Sequence, residues 1–236
     1  MFIANKDKLA AKVEHYEPFT SDELKAIFSS AYLEDMPKPD HWIPIVSLFT
    51  GARREEIASL KAANVKTIDG VPCFQIEGGK TADARRVVPV HPHLNALGFM
   101  AYAQHVQGMG QEFLFPFTTE GANGRGKNAG RQFALLDKRG TGRPKGVHSF
   151  RHTRITRLHA LNSNPAHVMQ ITGHRGETGQ SVHFNTYTHD MGLMALAETL
   201  GKLVYPLDWD GLKMPDPTFK AFLNRWKLIE DRNART

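Results

Sequence analysis

The sequence contains a single cysteine, Cys73, in 236 residues. One thiol cannot form an internal disulfide, and it excludes a zinc site made of four cysteines. No window approaches about 18 uncharged apolar residues, so we expect no membrane-spanning helix. The first residues, MFIANKDKLAAK, also lack the long apolar run of a signal peptide. These absences favour a reducing, cytosolic setting.

Two ligand-binding motifs are missing as well. No Gly-x-x-x-x-Gly-Lys-Ser/Thr pattern occurs, which argues against a nucleotide-triphosphate site, and there is no His-Glu-x-x-His pattern. Twelve histidines are present, but the pairs His91/His93 and His148/His152 lack a matching set of carboxylates or cysteines. We therefore expect neither a metal nor another cofactor.

The chain does have the composition of a folded domain, and its charge is unevenly distributed. Apolar residues make up 41% and charged residues 23%, with a net charge of +6. Residues 121–160 contain ten Lys or Arg against one acid, Asp137, so this window carries +9 while the other 196 residues sum to −3. Such a basic stretch indicates a nucleic-acid partner, although a solvated basic loop would look the same. The candidate contacts are Arg125, Lys127, Arg131, Arg143, Lys145 and Arg154.

The periodicity of apolar residues predicts a mainly α domain with a small antiparallel three-stranded β-sheet. Thr20 and Glu23 have the spacing of a capping box at the start of one helix. Asn164 is the predicted cap of a second helix, with Pro165 at its first position and Gly173 as its stop. We predict further helices over residues 42–49, 54–60, 148–161 and 192–200, and strands over 65–67, 72–76 and 86–90.

Three other segments complete the predicted organisation. From residue 92 onward a helical pattern places Leu94, Leu97, Met100 and Ala101 on one face. Residues 205–217 contain three prolines, which predicts an extended connector. We divide the chain into an N-terminal arm or linker (1–17), a main domain (18–204) and a connector with a C-terminal amphipathic helix (205–236). The apolar face of that helix, over residues 218–230, consists of Phe219, Phe222, Leu223, Trp226 and Ile229.

Two candidate functional groups lie in the first half of the chain. Arg53 is placed between two predicted helices, where its guanidinium can point into a cleft and bind phosphate oxygens. Alternatively, it is a surface arginine that pairs with Glu55 or Glu56. Lys80 lies in the turn between two predicted strands, where an exposed lysine can donate a proton to a ligand. Its alternative is a lysine that only improves solubility.

Two more candidates lie in the second half. His148 and Arg151 are three residues apart at the start of a predicted helix, so both lie on one face beside its partial positive charge. They could equally be two exposed polar residues. His174 follows a predicted helix stop, and Tyr187 lies in a polar segment. A tyrosine in such a place is usually a half-buried packing residue.

Taken in order, these residues resemble the catalytic domain of the tyrosine recombinase (phage integrase) family. The resemblance runs from about Pro18 to His189. TGARREEIASL, HSFRHT and TGH…YTH resemble its three signature boxes, and GGKTADARRVVPV resembles its catalytic hairpin. It implies the tyrosine recombinase/integrase catalytic-domain fold. It also implies a catalytic set of Arg53, Lys80, His148, Arg151, His174 and Tyr187, with Tyr187 as nucleophile, Lys80 as general acid and Glu56 as support for Arg53.

The implied activity is site-specific DNA recombination through a 3′-phosphotyrosyl intermediate, without metal or ATP. The implied partner is double-stranded DNA, with a free monomer, a tetramer on paired sites and accessory DNA-bending proteins. A prophage or mobile-element protein of the bacterial cytoplasm would fit this activity. DNA relaxation like that of a type IB topoisomerase would use the same chemistry. A non-catalytic DNA-binding relic of an integrase is the other alternative.

The chain departs from the family pattern in two places. The interval from His174 to Tyr187 is longer than in compact bacterial Xer members, which implies a longer loop or an extra turn before the nucleophile. The family's N-terminal core-binding domain is absent, so we expect an excised domain or a truncated product. In this family a C-terminal segment often docks on the neighbouring protomer, and residues 218–230 are the candidate for that role; the alternative is that this helix folds back on its own core.

Overall fold

The order of elements follows the predicted pattern closely. The structure is a computed structural model that describes residues 17–29, 41–77, 85–122, 124–127, 129–130, 133, 145–173, 192–212, 214, 227–228 and 231. Its helices in these ranges are α1 (Ser21–Ile27), α2 (Trp42–Thr50), α3 (Arg54–Ala58), α4 (Pro92–Ala96), α5 (Phe99–Gly108), α6 (Val147–Ala160), α7 (Pro165–Thr172) and α8 (Leu193–Gly201). The strands are β1 (Val65–Ile68), β2 (Val71–Glu77) and β3 (Arg85–Pro89).

Local capping interactions set the helix ends. The Thr20 hydroxyl accepts the Glu23 N–H at 3.2 Å, and the Glu23 carboxylate accepts the Thr20 N–H at 2.7 Å, which confirms the predicted capping box. Asn164 accepts the Ala166 N–H at 2.9 Å and starts α7. Gly173, with φ of +65°, ends α7 in the left-handed conformation that favours glycine.

The sheet is a meander of adjacent antiparallel strands in the order β1-β2-β3. Val65 lies opposite Phe74, and Cys73 lies opposite Pro89. The three predicted strands are confirmed to within two residues at each end. Residues 78–84 between β2 and β3, which include Lys80, lie outside the described residues.

The pattern after residue 92 forms two helices instead of one. Gly98 adopts φ of +88° between α4 and α5, so the second helix starts in a new orientation. Its buried face consists of Phe99, Tyr102, Ala103 and Val106. The predicted face was wrong for Ala101, which is exposed, because the turn at Gly98 breaks the helical register.

Helix α2 forms the centre of the core. All nine of its residues are buried. Its hydroxyl groups stay inside the helix, where Ser47 and Thr50 donate to the carbonyls of Ile43 and Val46 at 2.7 Å each. Helix α6 packs against α2, while α7 and α8 pack against β3. No helix in the described part of the chain is long and apolar enough to cross a membrane.

The first part of the predicted connector packs into this core. The Tyr205 hydroxyl donates to the Leu48 carbonyl at 3.0 Å, and the Trp209 ring lies 5.3 Å from that of Phe49. Leu212 is buried as well. The expected extended connector is therefore wrong for residues 205–212, because its aromatic and apolar side chains fill the core beside α2. Most of residues 218–230 lie outside the described ranges, so the C-terminal amphipathic helix stays a prediction.

His91 is a buried, neutral residue at the start of α4. Its Nδ1 accepts the His93 N–H at 3.1 Å, so the ring proton lies on Nε2, which donates to the Leu203 carbonyl at 2.9 Å. The ring stacks on Phe49 with centroids 4.5 Å apart. Burial, reinforced by the charge of His93, lowers the pKa of His91 from 6.5 to about 4.

We predict that replacing Tyr205 with Ala lowers the free energy of unfolding by about 3–5 kcal/mol, because it removes a buried aromatic side chain. Urea denaturation of the intact chain measures this change. The neighbouring Val204 is 62% exposed, so Val204→Ala should change stability by less than about 0.5 kcal/mol. Equal, small effects of both substitutions would mean that the segment is a free connector.

The pKa of His91 predicts acid sensitivity. As the pH falls from 6.5 to 4, the unfolded chain takes up a proton that the folded chain excludes, so the free energy of unfolding should decrease by about 3 kcal/mol from this residue. His91→Gln removes the titrating group. Urea denaturation across that pH range should show a flatter pH profile for the variant, and an unchanged slope would contradict this role of His91.

Candidate active site

Arg53 lies at the junction between two helices, as predicted. Helix α2 ends at Gly51, which adopts φ of +57°, and α3 begins at Arg54. Arg53 is the extended N-cap residue between them, with φ of −66° and ψ of 147°. Its side chain is 49% exposed, so the guanidinium stays accessible to a ligand.

Glu56 is a buried carboxylate shared by two arginines. One oxygen accepts the Arg53 N–H at 2.8 Å, and the other accepts Arg53 Nη1 at 2.9 Å. Arg86, on β3, contacts the same two oxygens at 2.7 and 3.3 Å. Burial by itself raises the pKa of Glu56, but hydrogen bonds and charge from Arg86 and Arg53 outweigh it and hold that pKa below 4.5. Glu56 therefore stays ionised and orients Arg53.

Arg86 is a site residue that sequence reasoning missed. Its Nε donates to the Ile171 carbonyl at 3.2 Å, which links β3 to α7. A Cβ atom at Gly173 would lie 2.9 Å from Arg86 Nη1, so a side chain there would push the guanidinium away from its position beside Glu56. The available signal was strand alternation, because Arg86 shares the buried side of β3 with Val88.

His148 and Arg151 lie on the first turns of α6. Arg151 is 3% exposed and donates through Nη1 to the Gly51 carbonyl at 2.7 Å, next to the junction that contains Arg53. Burial, followed by the charges of Arg53 and Arg86, lowers the pKa of Arg151 to about 10. Burial, then His152, Arg151 and Arg53, also lowers the pKa of the half-buried His148. His148 is therefore neutral near pH 7 and can accept a proton.

The structure thus brings together four of the seven predicted catalytic and supporting residues: Arg53, Glu56, His148 and Arg151. Lys80, His174 and Tyr187 lie outside the described residues, and their roles stay predictions. Gly173, the residue before His174 in the sequence, lies beside the Arg86 guanidinium of this cluster. The described part of the site is a group of guanidinium and imidazole side chains beside one buried carboxylate, Glu56.

The six expected nucleic-acid contacts have different surroundings. Lys127 is exposed. Arg125 is half-buried, donates to the Thr118 carbonyl and lies 3.6 Å above the centre of the Phe113 ring. Arg131 and Arg143 lie outside the described residues.

A direct DNA contact is the wrong expectation for Lys145 and Arg154. Lys145 is buried, with its Nζ 2.6 Å from a carboxylate oxygen of Glu23 and 3.0 Å from the Pro18 carbonyl. Arg154 is completely buried and donates to the Thr50 carbonyl. It lies one turn after Arg151 on the inward face of α6, so its charge contributes to the interior of the domain and not to the surface.

The described residues contain no group of three or more His, Cys, Asp or Glu side chains placed to bind a metal ion. The donors that meet at the site are cationic or neutral nitrogens. Such a set suits an anion and is unfavourable for a cation.

Comparison with solved structures identifies the fold. The chain is similar to the integrase from mycobacterium phage Brujita, with a TM-score of 0.56 at 16% identity over 85% of this chain and 63% of that one. It is also similar to the XerH site-specific recombinase bound to palindromic difH substrate, with a TM-score of 0.52 at 18% identity over 73% and 50%. A lambda integrase tetramer bound to a Holliday junction gives a TM-score of 0.50 at 20% identity over 72% and 50%.

These similarities confirm the expected fold, which is mainly α with a three-stranded antiparallel sheet, as in tyrosine recombinase catalytic domains. The chain spans between half and 63% of the length of these three structures. No protein-family model matches the sequence, and no curated protein matches it.

We predict that Glu56→Gln lowers the free energy of unfolding by about 3 kcal/mol, because it leaves the buried Arg86 guanidinium without its counter-charge. Urea denaturation is the measurement. Glu112→Gln is the matched control, since Glu112 forms an exposed ion pair with Lys61 at 3.7 Å, and it should change stability by less than about 1 kcal/mol. Equal effects of the two variants would argue against a structural role for Glu56.

Proposed function

We propose that this chain cuts and rejoins DNA strands by phosphodiester transesterification, as a site-specific recombinase. The observation that carries the proposal is the grouping of Arg53, His148 and Arg151 at the junction of α2 and α3: Glu56 holds Arg53, Arg151 donates to the Gly51 carbonyl, and the charges of Arg53 and Arg151 act on His148. This arrangement occurs on a fold similar to that of the XerH recombinase and phage integrases. The described cluster supports binding of an anion, and the proposed reaction adds the roles of Lys80, His174 and Tyr187, which lie outside the described residues.

The arginines would stabilise charge on phosphorus. A phosphodiester is an anion and resists attack by a second oxygen, so its transition state needs fixed positive donors near the non-bridging oxygens. Arg53 would bind one such oxygen with its half-exposed guanidinium. Arg151 would bind the other from a buried position at the N-terminal end of α6, where the helix adds partial positive charge.

Proton transfer would involve residues on both sides of the phosphate. Tyr187 would attack phosphorus while the neutral His148 accepts its phenolic proton. The bond from phosphorus to the 5′ oxygen breaks, Lys80 protonates that oxygen, and His174 donates a hydrogen bond to the phosphate. A 3′-phosphotyrosyl ester and a free 5′-hydroxyl result. Because the ester bond is retained, attack by a different 5′-hydroxyl reverses the step and exchanges strands without ATP.

The proposed partner is double-stranded DNA. The XerH structure contains its difH substrate, and the lambda integrase structure is a tetramer on a Holliday junction. We extend this assembly to the present chain: a free monomer that forms a tetramer on paired sites. The exposed Lys127, together with Arg131 and Arg143 of the same basic window, would contact the DNA backbone.

A duplex with a nick beside the cleavage site tests the proposal, because loss of the short fragment traps the covalent intermediate. Candidate duplexes come from a random-sequence pool, since no target sequence is assumed. We expect wild type to form a covalent adduct and Tyr187→Phe to form none, while DNA affinity stays within about twofold because the phenyl ring is retained.

Tyr205→Phe is the matched control. Tyr205 is buried, its hydroxyl donates to the Leu48 carbonyl, and burial raises its pKa, so it is a poor nucleophile and its removal should leave the adduct intact. DNA retention by wild type without any adduct would indicate a non-catalytic binder. Adduct formation with relaxation of a supercoiled plasmid, but without joining of two sites, would indicate a topoisomerase-like activity. Either result would overturn the proposed recombination.

A further inference from the structure

Glu55, next to the buried Glu56, contacts a different part of the chain. Its Oε1 accepts the Arg125 N–H at 3.0 Å, and its Oε2 accepts the Gly126 N–H at 2.7 Å. Ser59, one turn later in α3, donates its hydroxyl to Oε1 at 2.9 Å. The carboxylate thus accepts two backbone N–H groups of the basic segment, which we define as residues 124–127.

The glycines of the basic segment are explained by this contact. A Cβ atom at Gly126 would lie 2.6 Å from Oε2 of Glu55 and 3.1 Å from its Cα. A Cβ atom at Gly124, which has φ of +80°, would lie 2.7 Å from both carboxylate oxygens. Any side chain at either position would displace the carboxylate. The glycine content of this stretch therefore reflects close docking on α3 as well as turn formation.

The docking positions Lys127, the exposed basic side chain of residues 124–127. Residues 125–127 are helical, so the bonds to the Arg125 and Gly126 amides also set the position of Lys127. Arg125 is a second anchor through the Thr118 carbonyl and the Phe113 ring. Lys127 therefore extends from a backbone that is attached to α3, instead of from a free loop.

Helix α3 connects this segment to the candidate active site. Arg53 is its N-cap residue, and Glu56 orients Arg53. Arg54 lies against the chain just after the basic segment, since a Cβ atom at Gly130 would be 2.7 Å from Arg54 Nη1, and the charge of Arg54 also acts on His148. Less than one helical turn thus separates the residue that docks the basic segment from the residue that would bind the scissile phosphate.

We propose that Glu55 is a positioning residue for DNA: its carboxylate docks the basic segment on α3 and places Lys127 to contact the DNA backbone in register with Arg53. This inference rests on the proposed function, since it assumes that the bound ligand is DNA. The proposal places an acidic residue next to a DNA-binding surface, although a carboxylate repels the DNA phosphates.

The two possible roles of Glu55 predict opposite changes in DNA affinity. If Glu55 acted only through its charge, Glu55→Gln would reduce repulsion and strengthen DNA binding. If Glu55 positions the basic segment, the same change leaves one neutral acceptor in place of two charged ones and turns an NH2 group toward the second N–H, so the affinity should fall about tenfold. Glu112→Gln removes one exposed acidic charge without changing the Glu55 carboxylate, and it is the matched control for charge.

The experiment measures binding of a nicked duplex to the intact chain over a range of salt concentrations, for wild type, Glu55→Gln, Lys127→Ala and the double variant. We expect both single variants to lower the slope of log affinity against log salt by about 0.9, the loss of one phosphate contact. The double variant should bind no more weakly than Lys127→Ala alone, since both changes remove the same contact.

Two further readouts separate positioning from general damage. Hydrogen exchange should show about tenfold less protection of the Arg125 and Gly126 amides in Glu55→Gln, and no change there in Glu112→Gln. The single-turnover cleavage rate at saturating DNA should fall much less than the affinity, because Arg53 stays attached to Glu56. A rate loss as large as the affinity loss would mean that α3 itself is distorted, and the inference would fail.

The outcomes also distinguish this inference from the proposed function. Salt-sensitive DNA binding by wild type with unchanged or tighter binding by Glu55→Gln overturns the role of Glu55 and leaves the recombinase proposal standing. Absence of DNA binding by wild type overturns the proposed function and, with it, any DNA-positioning role for Glu55.

Discussion

The ion pair between the buried Glu56 carboxylate and Arg86 is the interaction on which the rest of the site depends. Arg86 extends from β3 to α3 and also contacts the Ile171 carbonyl of α7, so one guanidinium joins a strand and two helices. The same carboxylate then orients Arg53. Because isolated buried charges are strongly unfavourable, neither Glu56 nor Arg86 can leave this arrangement without the other. The alignment of α3 with the sheet is therefore tied to the geometry of the site.

The excess of positive charge around that carboxylate is the second constraint. Arg53, Arg86 and Arg151 act on one another, and in the described part of the chain Glu56 is the carboxylate that offsets them. Mutual repulsion lowers the stability of the free protein. An anionic ligand relieves it, so binding and stability are linked.

Sequence reasoning was reliable where structure is local. The Thr20 capping box, the stop at Gly173 and the three strands depend on neighbouring residues, and all are confirmed. It failed where a charged residue is buried by distant partners. Arg86 was overlooked, and Arg154 was assigned to the surface, because composition places arginine outside unless its partner is known. The packing of residues 205–212 was missed for the same reason, since proline content says nothing about a distant aromatic pocket.

The complete burial of α2 has a consequence for synthesis of the protein on the ribosome. The helix is covered by segments that follow much later: Arg151 bonds to Gly51 across 100 residues, and Tyr205 bonds to Leu48 across 157. Contacts at such separations form late, because long loops must close first. The nascent chain must therefore emerge beyond Tyr205 before the core around α2 can be completed. Until then an exposed apolar helix is a target for chaperones, and an unfinished chain cannot assemble the arginine cluster.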